Sequence, residues 1–124
     1  MPKSQYASHK NLIVYQKSKN LAVDVIKHFS GKKIPKNLDF VINQLIRALC
    51  SVGANIAEGY GRLYKGSQRQ FYAIARGSSF EADYWIEVLT DSKMFGAGTL
   101  ESFSERNSEL SKMLTSLMKR IDTK

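Results

Sequence analysis

The sequence is poor in the residues that hold disulfides and metal ions. Its 124 residues include one cysteine, two histidines and two prolines. A single cysteine cannot form an internal disulfide, and Cys50, inside an apolar helical pattern, is expected to be a small core residue. His9 and His28 lie far apart, and no spacing resembles a zinc or iron ligand set. We therefore expect no metal and no cofactor.

Long apolar runs are also lacking. The longest uncharged stretches, residues 40–46 and 48–57, are separated by Arg47, and each is much shorter than the roughly 20 apolar residues that cross a bilayer. Residues 1–10 contain lysines with no apolar run behind them, so no signal peptide is visible. We therefore expect no membrane contact and a cytoplasmic location.

The composition is otherwise that of an ordinary globular protein. Hydrophobic residues make up 43% of the chain and charged residues 24%, which is close to the average for soluble domains. The length is that of one domain. We expect residues 1–124 to form a single domain with enough apolar material for a core.

Apolar residues recur at helical spacing in four segments. The first begins at Asn11 and is ended by Ser30 and Gly31. The second follows Pro35 and has the widest apolar stripe. No segment alternates polar and apolar residues as a strand does. The pattern predicts an all-α, antiparallel up-down four-helix bundle, because short connections pack consecutive helices side by side.

Polar residues near the breaks predict where the helices begin. Asn37 or Asp39 is expected to cap the second helix, and Ser67 followed by Gln70 predicts a capping box at the start of the third. Thr99 is expected to cap the fourth helix, whose middle, residues 104–109, is polar. These signals place four helices along the chain.

The third segment carries two apolar stripes. At about 100° per residue, one face holds the expected core residues Phe71, Ile74, Ala75, Ser78, Ala82, Trp85 and Leu89. Phe80, Tyr84 and Val88 fall well round the other side. Small monomers seldom leave a second continuous apolar patch in water, so this stripe predicts an interface between copies of the chain. The alternative is that these residues are scattered surface aromatics.

The central part of the chain carries a set of polar and small residues that is specific to one family: Gln44, Arg47, Ser51, residues 54–59, Gly61, Arg62, Phe71, residues 75–78 and Glu81. With these residues, the stretch 44–89 resembles the bacterial four-helix-bundle family of 23S rRNA intervening-sequence proteins. The sequence departs from the usual family pattern at Gly53, where members often have proline.

The resemblance implies a ring-shaped homo-oligomer, commonly a pentamer, encoded in some bacteria within insertions of the large ribosomal RNA gene. No biochemical activity is established for the family. A related branch is similar to the accessory proteins of diversity-generating retroelements, which are thought to bind a reverse transcriptase and nucleic acid. The resemblance therefore implies three kinds of partner: other copies of this chain, RNA or DNA, and a reverse transcriptase.

The polar motif residues, among them Asn55, Glu58, Arg76, Ser78 and Glu81, have two interpretations. In one they form a hydrogen-bonded network between the second and third helices, since unpaired polar groups at an apolar face are costly. In the other, Glu58 and Glu81 act as the acid and base of a catalytic pocket. We favour the network, because no nucleophile, histidine or metal ligand accompanies the carboxylates. We expect no enzyme activity and assign no catalytic residue.

The net charge of +8 is unevenly spread. Residues 1–36 hold eight lysines against Asp24, a net charge of +7, whereas residues 77–109 have a net charge of −5. Such opposed regions favour pairing between protomers, or a basic region that faces nucleic acid. The hypothesis of nucleic-acid binding uses Arg47, Arg62, Lys65 and Arg69, together with the N-terminal lysines, as phosphate contacts.

Tyr60 and Tyr64 lie beside those cations in the sequence and could stack on unpaired bases. The sequence thus favours a non-enzymatic, oligomeric adaptor for nucleic acid. The alternative is a protein-binding scaffold without nucleic-acid contact, whose binding should depend much less on salt.

Overall fold

The computed structural model describes residues 8–122, and this part of the chain is entirely helical, without a strand. A short 3-10 helix, His9–Asn11, precedes four α-helices. We label these α1 (Ile13–Phe29), α2 (Lys36–Tyr60), α3 (Lys65–Ser92) and α4 (Ala97–Asp122). The predicted number and order of helices are confirmed.

Consecutive helices are neighbours, and α1 closes the bundle by packing on α4. The connections are short, at residues 30–35, 61–64 and 93–96, so that each helix runs antiparallel to the one before it. One end of the bundle therefore contains the start of α1, the α2–α3 connection and the end of α4. The other end contains the α1–α2 and α3–α4 connections.

The core is a stack of aliphatic side chains from all four helices. α2 contributes most to it, with Leu45, Leu49, Val52 and Ile56 almost completely buried. Burying a side chain of this size stabilises the fold by about 1.5–3 kcal/mol. α2 is also the one helix in the described residues that is long and apolar enough to cross a membrane by length and composition. Here its apolar stripe packs against α1 and α3.

The core stripe of α3 differs from the expected one. The buried residues are Tyr72, Ala75, Ser79, Ala82, Ile86 and Leu89, whereas Ile74 is 44% exposed and Phe71, Ser78 and Trp85 are half-buried. α3 packs on two neighbours, α2 and α4. Its apolar residues therefore cover a wide arc, and periodicity alone did not locate the centre of that arc.

A buried polar pair joins α3 to the polar middle of α4. The Ser79 hydroxyl donates to Asn107 Oδ1 at 2.8 Å, and Asn107 Nδ2 donates to the Ser79 carbonyl at 2.8 Å. Both residues are nearly inaccessible to solvent. The polar segment 104–109 is therefore part of the packed interface, with its one buried amide satisfied by α3.

The predicted caps were wrong. α2 begins at Lys36 after Pro35, α3 begins at Lys65 after Tyr64, and neither cap residue makes a side-chain cap hydrogen bond. In the first turn of α2 the Pro35 carbonyl accepts from the Leu38 amide at 2.9 Å, and in α3 the Tyr64 carbonyl accepts from the Gln68 amide at 2.9 Å as the first regular helical hydrogen bond. α4 likewise begins at Ala97, before Thr99.

The expectation for Cys50 was also wrong. Its side chain is exposed, because residue 50 lies on the outer side of α2, beside α1, while Leu49 takes the core direction. A thiol on this surface lines a groove instead of filling the core.

Candidate nucleic-acid and oligomer interfaces

The family-specific polar residues meet where α2 and α3 pack together. Ser51 Oγ and Ser78 Oγ are 2.8 Å apart, and Arg47 of α2 forms an ion pair with Glu81 of α3. Glu81 also accepts a hydrogen bond from the indole N–H of Trp85 at 2.9 Å. We call Arg47, Ser51, Ser78 and Glu81 the α2–α3 seam. The predicted network between these helices is present in part, with Ser78 and Glu81 as the predicted members that reach from α3 to α2.

The other motif residues act within α2 or reach α4. Asn55 donates to the carbonyl and hydroxyl of Ser51, one turn earlier. Arg76 donates from Nε to the Thr115 hydroxyl of α4 at 2.8 Å, and its guanidinium lies 4.7 Å from the centre of the Phe80 ring. The network thus extends across α3 to a third helix, which the sequence pattern did not predict.

The two motif carboxylates do not form an acid–base pair. Glu81 is paired with Arg47, whereas Glu58 accepts from Arg62 at 2.6 Å. Residues 47 and 58 are separated by about 16 Å along α2 at 1.5 Å per residue, so the two carboxylates lie at different levels of the bundle. Within the described residues no group of three His, Cys, Asp or Glu side chains could hold a metal ion.

The four cations predicted to contact phosphate lie in two places. Arg62, Lys65 and Arg69 are exposed around the α2–α3 connection. Arg47 lies in the α2–α3 seam, about 22 Å from Arg62 along the helix axis. Arg62 is held by Glu58 and stacks on the Phe71 ring, 4.4 Å from its centre. Three of the four cations are therefore brought together.

The topology brings to these three Lys10, one of the predicted N-terminal lysines, and adds cations from the end of α4. The start of α1 packs against the end of α4, where Leu12 and Val14 line the same depression as Leu117 and Arg120. The exposed side chains of Lys10 and Lys119 consequently lie at the same end of the bundle as the α2–α3 connection. We call Lys10, Arg62, Lys65, Arg69, Lys119 and Arg120 the basic end. Glu58 also lies at this end, paired with Arg62.

Aromatic side chains accompany the basic end. Tyr64 is 77% exposed, directly before Lys65, while Tyr60 is half-buried. Burial raises the pKa of the Tyr72 phenol above its ordinary value of 10.0, and the nearby Tyr60 raises it further. Tyr64 is thus free to stack on a ligand, whereas Tyr72 belongs to the core.

The residues predicted as an oligomer interface lie along the outer side of α3. Phe80 and Tyr84 are each 55% exposed, and Val88 is half-buried. The Tyr84 ring meets the Trp85 ring edge to face at 4.9 Å between centres. We call Phe80, Tyr84 and Val88 the aromatic stripe. It is an exposed apolar strip on a helix whose opposite side fills the core.

The protein is a four-helix bundle with a basic end and an aromatic stripe on its surface. The sequence profile of the 23S rRNA-intervening sequence proteins matches residues 10–116. The chain belongs to this family, and the resemblance read from residues 44–89 is confirmed.

A solved structure shows the same fold. It is described as a protein of unknown function from the S23 ribosomal protein family of Bacteroides thetaiotaomicron, and it is 25% identical to this chain with a TM-score of 0.75. The match covers 86% of this chain and 99% of the other. No protein with a curated description matches the sequence.

Proposed function

We propose that this protein is a non-enzymatic, cytoplasmic, oligomeric adaptor that binds the phosphate backbone of a nucleic acid with its basic end. The observation that carries the proposal is the gathering of cations from three separate segments of the chain. Lys10 precedes α1, Lys65 begins α3 and Lys119 lies in the last turn of α4. The up-down topology places all three at one end of the bundle.

The lysines of the basic end are available to a ligand. Lys10, Lys65 and Lys119 are exposed, and none is paired with a carboxylate of the described residues. Each phosphate that such a cation neutralises releases a counterion, so binding should weaken steeply as salt rises. Arg62, already paired with Glu58, is expected to contribute less than these lysines.

Single-stranded RNA is the nucleic acid to test first. An exposed tyrosine beside cations is the arrangement that holds unpaired bases, and stacking contributes about 1–3 kcal/mol per base. Tyr64 has this environment at the start of α3. The family description also refers to an intervening sequence of 23S rRNA.

Fluorescence anisotropy with labelled single-stranded RNA, single-stranded DNA and duplex DNA tests the proposal. Lys65→Gln and Lys119→Gln should each weaken RNA binding and lower the slope of log K against log salt by about 0.7, the value for one phosphate of a single strand. Lys33→Gln, at the opposite end of the bundle, is the matched control and should change neither. Absence of binding at low salt, or an equal effect of the control, would overturn the proposal.

A second candidate function is a protein-binding scaffold, with a reverse transcriptase as the partner that the family resemblance implies. The observation that favours it is Phe40, which is 60% exposed although it contacts the Trp85 ring edge to face at 6.0 Å. An exposed ring held by a neighbour is a preformed apolar contact for another protein. Binding through Phe40 should change little between low and physiological salt.

A further inference from the structure

A groove runs between α1 and α2 on the side of the bundle away from the α2–α3 seam. It has a volume of about 240 Å³. Its floor consists of small residues of α2, Cys50, Gly53 and Ala54. Its α1 rim includes Val23 and Ile26, which are 38% and 39% exposed. We call this surface the α1–α2 groove.

The small residues explain why the groove exists. A Cβ on Gly53 would lie 3.3 Å from the Ser18 hydroxyl oxygen, so α1 and α2 approach closely at this level. The outer faces of Cys50 and Ala54 then leave a depression beside α1. The Ser18 hydroxyl is buried beneath it without a hydrogen-bond partner in the described residues. The groove is therefore mostly apolar, with Tyr15, Ser18 and Lys19 as the polar residues of its lining.

We propose that the α1–α2 groove receives the aromatic stripe of α3 from a second copy of this chain. The two surfaces are complementary in form, because the stripe projects large rings and the groove offers small residues between two helices. They also match in length. The stripe, residues 80–88 of α3, extends about 12 Å at 1.5 Å per residue, within the roughly 16 Å covered by residues 15–26 of α1 along the groove.

The charges around the two surfaces are opposite. Lys19 lines the groove, and Lys27 is exposed two turns further along α1. The aromatic stripe is flanked by the exposed carboxylates of Asp83, Glu87 and Asp91. Bringing the stripe to the groove therefore places lysines opposite carboxylates, which favours this pairing over contact between two stripes or two grooves.

Because groove and stripe are different surfaces of one chain, the contact passes from copy to copy in one direction. Such heterologous contacts form a closed ring when the rotation between copies divides a full turn. The inference rests on the assembly part of the proposed function and specifies which surfaces meet.

Sedimentation velocity on two single variants and their mixture tests the pairing. Tyr84→Asp disables the stripe and Ala54→Asp disables the groove, and both residues are exposed. Each variant alone should sediment as a 14.0 kDa monomer. In an equimolar mixture, one intact groove meets one intact stripe, so a dimer should form and grow no further. Met94→Asp, at an exposed apolar residue outside both surfaces, should assemble like the unmodified chain.

The outcomes separate this inference from the proposed function. If the unmodified chain is monomeric at every concentration, both the inference and the assembly part of the function are wrong, although RNA binding is measured independently. If the unmodified chain assembles and Ala54→Asp assembles to the same mass, the groove is not the acceptor surface. The same conclusion follows if the two variants do not pair in the mixture. In both cases the oligomeric part of the proposed function is retained. Circular dichroism checks that each variant is folded, and Val23→Asp is a second groove variant should Ala54→Asp unfold.

Discussion

Gly59 of α2 lies directly against the ring of Tyr72 on α3. A Cβ added to Gly59 would be 2.8 Å from Tyr72 Cε1, closer than side chains tolerate, and 3.1 Å from Phe71 Cβ, tighter than most side-chain contacts. Gly59 is buried near the end of a helix that glycine would otherwise weaken. The close approach of α2 and α3 at this level accounts for the residue.

Gly59→Ala should therefore destabilise the protein. Overpacking of this kind costs about 1–3 kcal/mol, which outweighs the gain of up to about 1 kcal/mol from the higher helix propensity of alanine. Gly66→Ala is the matched control, because nothing lies within 4 Å of a Cβ at that residue. Urea unfolding should show a lower midpoint for Gly59→Ala and no decrease for Gly66→Ala. A Gly59→Ala variant as stable as the parent would contradict the packing described here.

The buried pair of Ser79 and Asn107 should be sensitive to loss of either partner. Asn107→Ala removes two side-chain hydrogen bonds inside the α3–α4 interface and leaves the Ser79 hydroxyl its longer bond, 3.2 Å, to the backbone carbonyl of residue 107. Each lost hydrogen bond costs about 0.5–1.5 kcal/mol. Asn43→Ala, at an exposed asparagine of α2, should cost much less. Thermal unfolding followed by circular dichroism measures both, and equal losses would argue against the buried pair.

The stability of the bundle should fall in weak acid through His28. Burial lowers the pKa of its imidazole below the ordinary value of 6.5, and Lys32 lowers it further. The unfolded chain therefore binds the proton more readily than the folded one, so stability is full above pH 6.5 and is lost as the pH falls through the folded pKa. His28→Gln removes this pH-dependent contribution to stability.

Urea unfolding between pH 7.5 and pH 5 measures the difference. The parent should lose more free energy of unfolding over this range than His28→Gln. The variant also loses stability because the packing against Phe29 and Phe103 is removed, but that loss is the same at every pH. Carboxylates titrate similarly in both proteins. Parallel pH profiles would show that His28 is not perturbed in the folded state.

The ion pair between Arg47 and Glu81 should contribute little to stability. The Arg47 side chain is 54% exposed and that of Glu81 37%, and pairs open to solvent contribute up to about 1 kcal/mol. Glu81→Gln should therefore lower the free energy of unfolding by less than about 1 kcal/mol. Arg47→Gln should behave alike and leave RNA affinity unchanged, because Arg47 lies far from the basic end. A large loss in either variant would point to a stronger network than the geometry shows.

Much of the fold follows from periodicity. The four apolar segments and their glycine- and proline-containing breaks predicted the helices and their order. The same reasoning misplaced the core stripe of α3. The apolar residues of this helix cover a wide arc, and Tyr72 and Ile86 are buried in place of the expected Phe71 and Trp85. The cap predictions failed as well, since Ser67 and Thr99 lie inside helices that begin earlier, at Lys65 and Ala97.

The surface features were only partly predictable. Arg62, Lys65 and Arg69 are close in sequence, so their clustering could be read directly. Lys119 joins them only because α4 ends beside the start of α1, which requires the topology. The α1–α2 groove exists because the side chains of Cys50 and Ala54 point to the surface. The sequence shows a run of small residues but does not show which of them are exposed.

The cyclic order of the helices has a consequence for how quickly the chain folds. Three of the four packed helix pairs are consecutive in sequence, and only α1 with α4 joins distant segments. Folding rate rises as contacts become more local, and helical bundles of this kind fold in microseconds to milliseconds. The α2–α3 hairpin, with its short connection and close contact at Gly59, can form before α1 and α4 close the bundle. Newly made chains would thus pass rapidly from unfolded to folded, with little time for their apolar faces to aggregate.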